Sequence, residues 1–169
     1  MRTAATVLLC IFTVVLLRAG APSAKASSPA FEKLKALAGT WKGTDSEGKP
    51  FTASYAVVSA GTAVMETLNM GEDHGTMITM YHQNGKKMMM THYCSMGNQP
   101  RMSATGLTKD GTSINFKCFD VTNLSDQKEN YMMGLNFTFK DADHFAQKWT
   151  MKMSGTELHP DTFEYERVK

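Results

Sequence analysis

The chain has 169 residues, enough for one domain beside a targeting segment, and carries 18 Lys and Arg against 16 Asp and Glu. Beyond its N-terminal stretch no run is apolar enough to cross a bilayer as a helix, which takes about 20 residues. A helical membrane protein of several spans is therefore excluded.

Arg2 precedes an apolar run over 4–17, and after Arg18 come small residues with Ala24 and Ala26 in an A-x-A arrangement. A basic start, a short apolar middle and a small-residue site form the pattern of a secretory leader, here with cleavage after Ala26. Cleavage would remove Arg2, Arg18 and Lys25 and no acid, leaving 15 basic residues against 16 acidic ones. The basic balance thus belongs to the leader, and no basic block survives it. Neither nucleic acid nor stable membrane insertion is expected of the mature chain. The expected organisation is a leader at 1–26, a linker with a short helix at 27–38, and one β domain at 39–169. The expected location is the periplasm or the exterior.

Phe31, Leu34, Leu37 and Ala38 recur at helical spacing, and Gly39 stops the pattern. The spacing predicts a short helix over 31–38, packed on or plugging the β domain. The texture then changes to short Thr-, Tyr-, Phe-, Val-, Ile- and Met-rich segments between turn residues. Strands are predicted at 40–44, 51–59, 62–69, 76–82, 87–94, 101–106, 113–120, 131–139, 144–153 and 161–168. Asn84-Gly85 and Asp110-Gly111 are hairpin turns, because Gly accepts the positive φ such turns require. Ten short strands without long crossovers argue against a parallel sheet. An all-β, antiparallel up-and-down barrel of about ten strands removes exposed edges; a two-sheet sandwich is the alternative. The polar loop at 121–130 is expected at a barrel mouth.

At Leu37-Ala38-Gly39-Thr40-Trp41-Lys42-Gly43 the chain resembles the calycin group of lipocalins, fatty-acid-binding proteins and nitrobindin-like barrels. Closer still is the likeness to exported bacterial proteins of unknown function that share this opening, and whose distinctive stretch resembles the run from Met90 to Met102. The resemblance implies a barrel whose floor is closed by Trp41. It also brings in haem, which nitrobindin-like proteins bind through a His near the C-terminal strands. Here those strands offer Phe163 and Tyr165, with His159 and His144 nearest, and Asp45-Ser46-Glu47 interrupts the glycine alternation of the haem binders.

On the segment 87–94 side chains alternate faces, so Met88, Met90, His92 and Cys94 share one face and Tyr93 the other. A Met/Met/His/Cys face suits Cu(I), which selects soft sulfur ligands. Same-face neighbours stand about 6.5–7 Å apart, so one ion would need help from the neighbouring segment at 78–82. The plainer reading is Met filling an irregular core. His92 is also a candidate polar handle for a ligand. Glu66 lies between Val64 and Leu68 on a strand face, and if inside it needs a partner, for which Arg101 is the candidate. Asn98, Gln99 and Arg101 gather donors at one mouth. Cys94 and Cys118 fall on alternate strands, with backbones about 10 Å apart, beyond the roughly 7 Å a disulfide spans; two separate thiols are expected.

No G-x-S-x-G, H-E-x-x-H or phosphate-cradling glycine loop occurs, and the five histidines lie on different segments, so catalysis is not expected. The expected function is the binding of a small, largely apolar ligand inside the barrel, among Trp41, Phe116, Leu135, Phe137 and Trp149. Trp41, Glu66, His92, Asn98, Arg101 and Trp149 are the expected contacts, and no cofactor is expected. The alternatives are haem or copper binding, and an accessory protein with a filled core.

Overall fold

The computed structural model describes residues 26–72, 74–126, 128–153 and 157–169. The predicted leader lies outside the described residues apart from Ala26.

Ser28 caps the first helix. Its hydroxyl accepts from the Phe31 N–H, and Pro29 occupies the first turn, where no N–H is needed, so helix α1 runs Pro29–Lys35. The helix starts and stops earlier than the apolar spacing predicts. Its apolar face, Ala30, Phe31 and Leu34, is buried. Leu37 and Ala38 continue as a tight turn bonded back to Leu34 and Lys35.

Ten strands come next: β1 Gly39–Thr44, β2 Pro50–Val58, β3 Ala63–Asn69, β4 Thr76–Asn84, β5 Lys87–Tyr93, β6 Gln99–Ala104, β7 Ser113–Thr122, β8 Tyr131–Phe139, β9 His144–Met153 and β10 Glu157–Arg167. Each pairs antiparallel with its sequence neighbours, and β1 pairs with β10, which closes the barrel. The predicted meander is thus the observed topology, and the sandwich is not. The last strand begins at Glu157, four residues before its predicted start.

Inward and outward positions alternate along each strand. The inward row Tyr55, Glu66, Thr79, His92 runs in register across β2, β3, β4 and β5. The next row toward the helix is Val64, Tyr81, Met90, Met102, Cys118 across β3 to β7. α1 and Trp41 stop the end where β1 begins, and aromatic rings fill that half: Trp41 meets Phe145 at 4.7 Å, and Phe145 stacks on Tyr165 at 4.2 Å. Gly43 makes the β1–β10 seam possible. A Cβ there would collide with the Glu164 carbonyl oxygen.

The wall is irregular at one place. The register steps from Met102↔Cys118 to Arg101↔Asp120, so Phe119 is an extra residue on β7. It steps from Met132↔Met151 to Gly134↔Thr150, so Met133 is an extra residue on β8. β7 and β8 pair only from Ser113↔Thr138 to Lys117↔Gly134. Past that point β7 ladders with β6 and β8 with β9, and the two strands part. Such bulges bend a strand and end its pairing.

Candidate functional site

Glu66 is buried, 1 % exposed, as a carboxyl between Val64 and Leu68 on a barrel strand has to be if those two face the core. Its Oε2 accepts from Tyr81 Oη at 2.5 Å and its Oε1 from Gln147 Nε2 at 3.0 Å. The sequence points to Arg101 as its partner, and the structure corrects that. Met102 faces the core, so Arg101 beside it faces out. There it is half-exposed, ion-paired with Asp120, and lies over the Phe119 ring at 5.7 Å. Tyrosines and an amide, not a guanidinium, satisfy the buried acid.

Gln147 is the hub of that arrangement. Its Nε2 donates to Tyr55 Oη at 2.8 Å as well as to Glu66, and its Oε1 accepts from Tyr165 Oη at 2.7 Å and Trp149 Nε1 at 2.9 Å. Both amide protons and both lone pairs are used. The more distant Tyr165–Glu66 approach, 3.5 Å, is secondary to the Tyr165–Gln147 bond. Burial raises the Glu66 pKa, against the lowering pull of the four hydrogen-bonding side chains around it. The three tyrosines are pushed well up, first by burial and then by the charge of Glu66. The network is saturated by its own members and forms a polar floor across the barrel. Sequence reasoning missed Gln147, although its place between Phe145 and Trp149 on one strand face was a readable signal.

Two buried polar atoms are different. His92 is 3 % exposed and its Nδ1 meets Thr79 Oγ1 at 2.9 Å, but its Nε2 has no partner among the described residues. Asn98 Nδ2 donates to the Asn130 carbonyl at 2.9 Å, and Asn98 Oδ1 has no partner among the described residues. Buried polar atoms are normally paired, and these two, at the barrel end away from α1, are open hydrogen-bonding positions. Burial lowers the His92 pKa to about 4, so the ring is neutral at neutral pH and presents one lone pair and one N–H. Its ring lies 4.8 Å from that of Trp149.

A cleft of about 310 Å³ opens between the separated ends of β7 and β8, lined by Cys118, Phe119, Val121, Leu124, Tyr131 and Met133 together with the charged Asp120 and Lys152. Asn130, which Asn98 holds, directly precedes Tyr131 of the cleft. The polar loop at 121–130, expected at a barrel mouth, borders this opening through Val121 and Leu124, and Asn123 Nδ2 donates to the Gly97 carbonyl at 2.6 Å.

The residues expected to line a central cavity, Trp41, Phe116, Leu135, Phe137 and Trp149, are all buried in the core cluster. Trp41 Nε1 donates to the Leu37 carbonyl at 2.7 Å, which makes it a structural floor. Met88, Met90, His92 and Cys94 do share the inward face. Cys94 and Cys118 are both free thiols, as the strand spacing requires. Among the described residues no cluster of three His, Cys, Asp or Glu is grouped to hold a metal.

The histidines do not fit haem at the C-terminal strands. His144 Nδ1 is bound to Asp141 at 2.9 Å and His159 Nε2 to Glu157 at 3.2 Å, both on the outside. His74 and His82 are exposed. His92 alone points inward, and Trp149 stands against it.

The fold has solved precedents. Rv2717c from M. tuberculosis superposes with a TM-score of 0.58 at 16 % identity, covering 84 % of this chain and 99 % of that one. A protein of unknown function from the DUF3598 family of Nostoc punctiforme gives a TM-score of 0.54 at 13 % identity, over 79 % of this chain. The chain spans about half of that protein, 48 % of its length. At these identities the likeness is one of fold. No family model and no curated protein matches the sequence.

Proposed function

We propose that the chain is an exported barrel that binds a small, largely apolar ligand through the opening between β7 and β8. Two observations support this reading: the orphaned buried atoms His92 Nε2 and Asn98 Oδ1, and the cleft in the wall, to which Asn98 is joined through Asn130. Asn98 Oδ1 can only accept, so the ligand brings a hydroxyl or N–H. Its apolar body lies against Phe119, Leu124, Tyr131 and Met133. Phe119 is 53 % exposed, with the Arg101 guanidinium over its ring. The Glu66 network supports the barrel from below and does not touch the ligand. Export rests on the leader pattern at 1–26.

Native mass spectrometry of protein purified from its own host tests this. The expected result is a small co-purifying mass that is lost from a Phe119→Asp, Met133→Asp variant. Clean apoprotein that takes up no apolar fluorophore at the cleft would end the reading. Mature protein starting near Ser27 is expected in the exported fraction.

A further inference from the structure

Three sulfur side chains stand next to one another on the inner wall. The register pairs Met90 with Met102 across β5 and β6, and Met102 with Cys118 across β6 and β7. All three face the interior: Met90 and Met102 are fully buried, and Cys118 packs against the core while half-buried at the cleft. Side chains directly opposite on neighbouring antiparallel strands have Cβ atoms about 4.5–5.5 Å apart. Met102 stands between the other two, and Met90 and Cys118, on alternate strands about 10 Å apart, reach a common point through the length and flexibility of the Met side chains. The set expected on β5 alone, Met88, Met90, His92 and Cys94, has no directly opposed cross-strand pair, and its neighbours along one face stand about 6.5–7 Å apart. Only the register brings sulfur from three strands into one row.

The row also has an entrance. Cys118 lines the cleft at the parted wall, so the thiol can be reached from outside while the thioethers lie behind it. Its present bond is weak: Sγ donates to the Asp120 carbonyl at 3.4 Å.

We propose that Met90, Met102 and Cys118 form a site for a single Cu(I) ion. Thioether and thiolate donors select soft Cu(I) over the harder divalent ions. Copper enters and remains as Cu(I), so no electron is transferred. As the Cu–S bond to Cys118 forms, the S–H bond breaks and one proton leaves to water through the cleft. The site shares its opening with the small-ligand reading but uses none of the atoms that reading assigns to hydrogen bonding. Each can therefore fail alone.

The test is anaerobic titration of the mature protein with Cu(I) against a chromogenic Cu(I) chelator. The expected result is one Cu(I) per chain, with about one proton released per ion at pH 7. Met90→Leu and Met102→Leu conserve volume and keep the fold; each is expected to weaken Cu(I) binding at least tenfold. Cys118→Ser is expected to abolish it and the proton release. The circular dichroism spectrum and urea midpoint check that each variant is folded. Failure of the wild-type protein to compete with the chelator overturns the proposal. So does a Cys118-dependent affinity that neither Met→Leu change alters, since that would be a single thiol acting alone.

Discussion

Tyr81 Oη donates to Glu66 Oε2 at 2.5 Å between two fully buried side chains on adjacent strands. Together with Gln147 it gives the acid donors on both oxygens, in an environment that nevertheless favours the protonated form. The folded-state pKa lies above the ordinary 4.5. The folded protein therefore holds a proton that the unfolded chain releases, and stability from this group is complete below pH 4.5 and declines as pH rises through the folded value. Glu66→Gln should remove that decline and leave the protein at least as stable at pH 8. Glu66→Ala should cost about 2–4 kcal/mol, since it leaves buried donors unpaired. Urea denaturation across pH 4 to 8 reads both. A wild-type and Glu66→Gln pair with parallel pH curves would refute the assignment.

His92 works in the opposite direction. Its folded-state value of about 4 lies below the ordinary 6.5. The unfolded chain binds a proton that the folded one refuses, so stability is complete above pH 6.5 and is lost as pH falls toward 4. The full effect is on the order of 3 kcal/mol, from 1.36 kcal/mol per pH unit. The His92 ring resonances in an NMR titration should stay those of neutral imidazole down to about pH 5. His92→Phe should flatten the acid side of the stability curve. A ring that titrates near pH 6.5 would place it in water and remove it from the proposed ligand contacts.

The strand series was legible because its signals are local. Turn residues at Asn84-Gly85 and Asp110-Gly111 and period-two alternation need no knowledge of neighbours. The pairing of side chains was not legible, because it depends on register. Glu66 could be read as buried from Val64 and Leu68, but its partners Tyr81 and Gln147 come from β4 and β9. Arg101 faces out because it alternates with Met102, which faces the core. The extra residues Phe119 and Met133 left no trace in the pattern, since an exposed apolar residue in a β segment looks like any other. They nonetheless create the opening on which the functional reading depends. The Ser28-Pro29 start of the helix was written in the sequence as a cap followed by a first-turn proline, and apolar spacing alone passed over it.

Gly43 tests the closing seam. It faces inward on β1, where a Cβ would strike the backbone of Glu164 on β10, with the Phe51 ring also within 2.6 Å. Backbone cannot move aside without breaking the β1–β10 ladder from Trp41↔Arg167 to Thr44↔Glu164. Gly43→Ala should destabilise by roughly 3 kcal/mol or more, the range of overpacking against a rigid neighbour. Gly48→Ala, with nothing near its Cβ but a φ of +80°, should cost about 1 kcal/mol through backbone strain alone. Thermal melts of the two variants compare the effects directly, and equal losses would contradict the close approach.

Arg167 and Trp41 together fasten the helix to the barrel floor. The guanidinium lies 4.2 Å from the Trp41 ring and donates to the Ala36 and Ala38 carbonyls at 2.9 Å each, while Trp41 Nε1 takes the Leu37 carbonyl between them. The last carbonyls of a helix lack partners within it, and these two side chains supply them for the segment leaving α1. Lys cannot stack flat on the ring or present a rigid planar fork to two carbonyls. Arg167→Lys should therefore loosen α1 by about 1–3 kcal/mol, from the lost charge-assisted bonds. Hydrogen exchange at Phe31 to Ala38 should speed up in that variant, while amides on β3 to β5 keep their wild-type protection. Uniform acceleration over the whole barrel would mean that Arg167 supports the global fold rather than the helix junction.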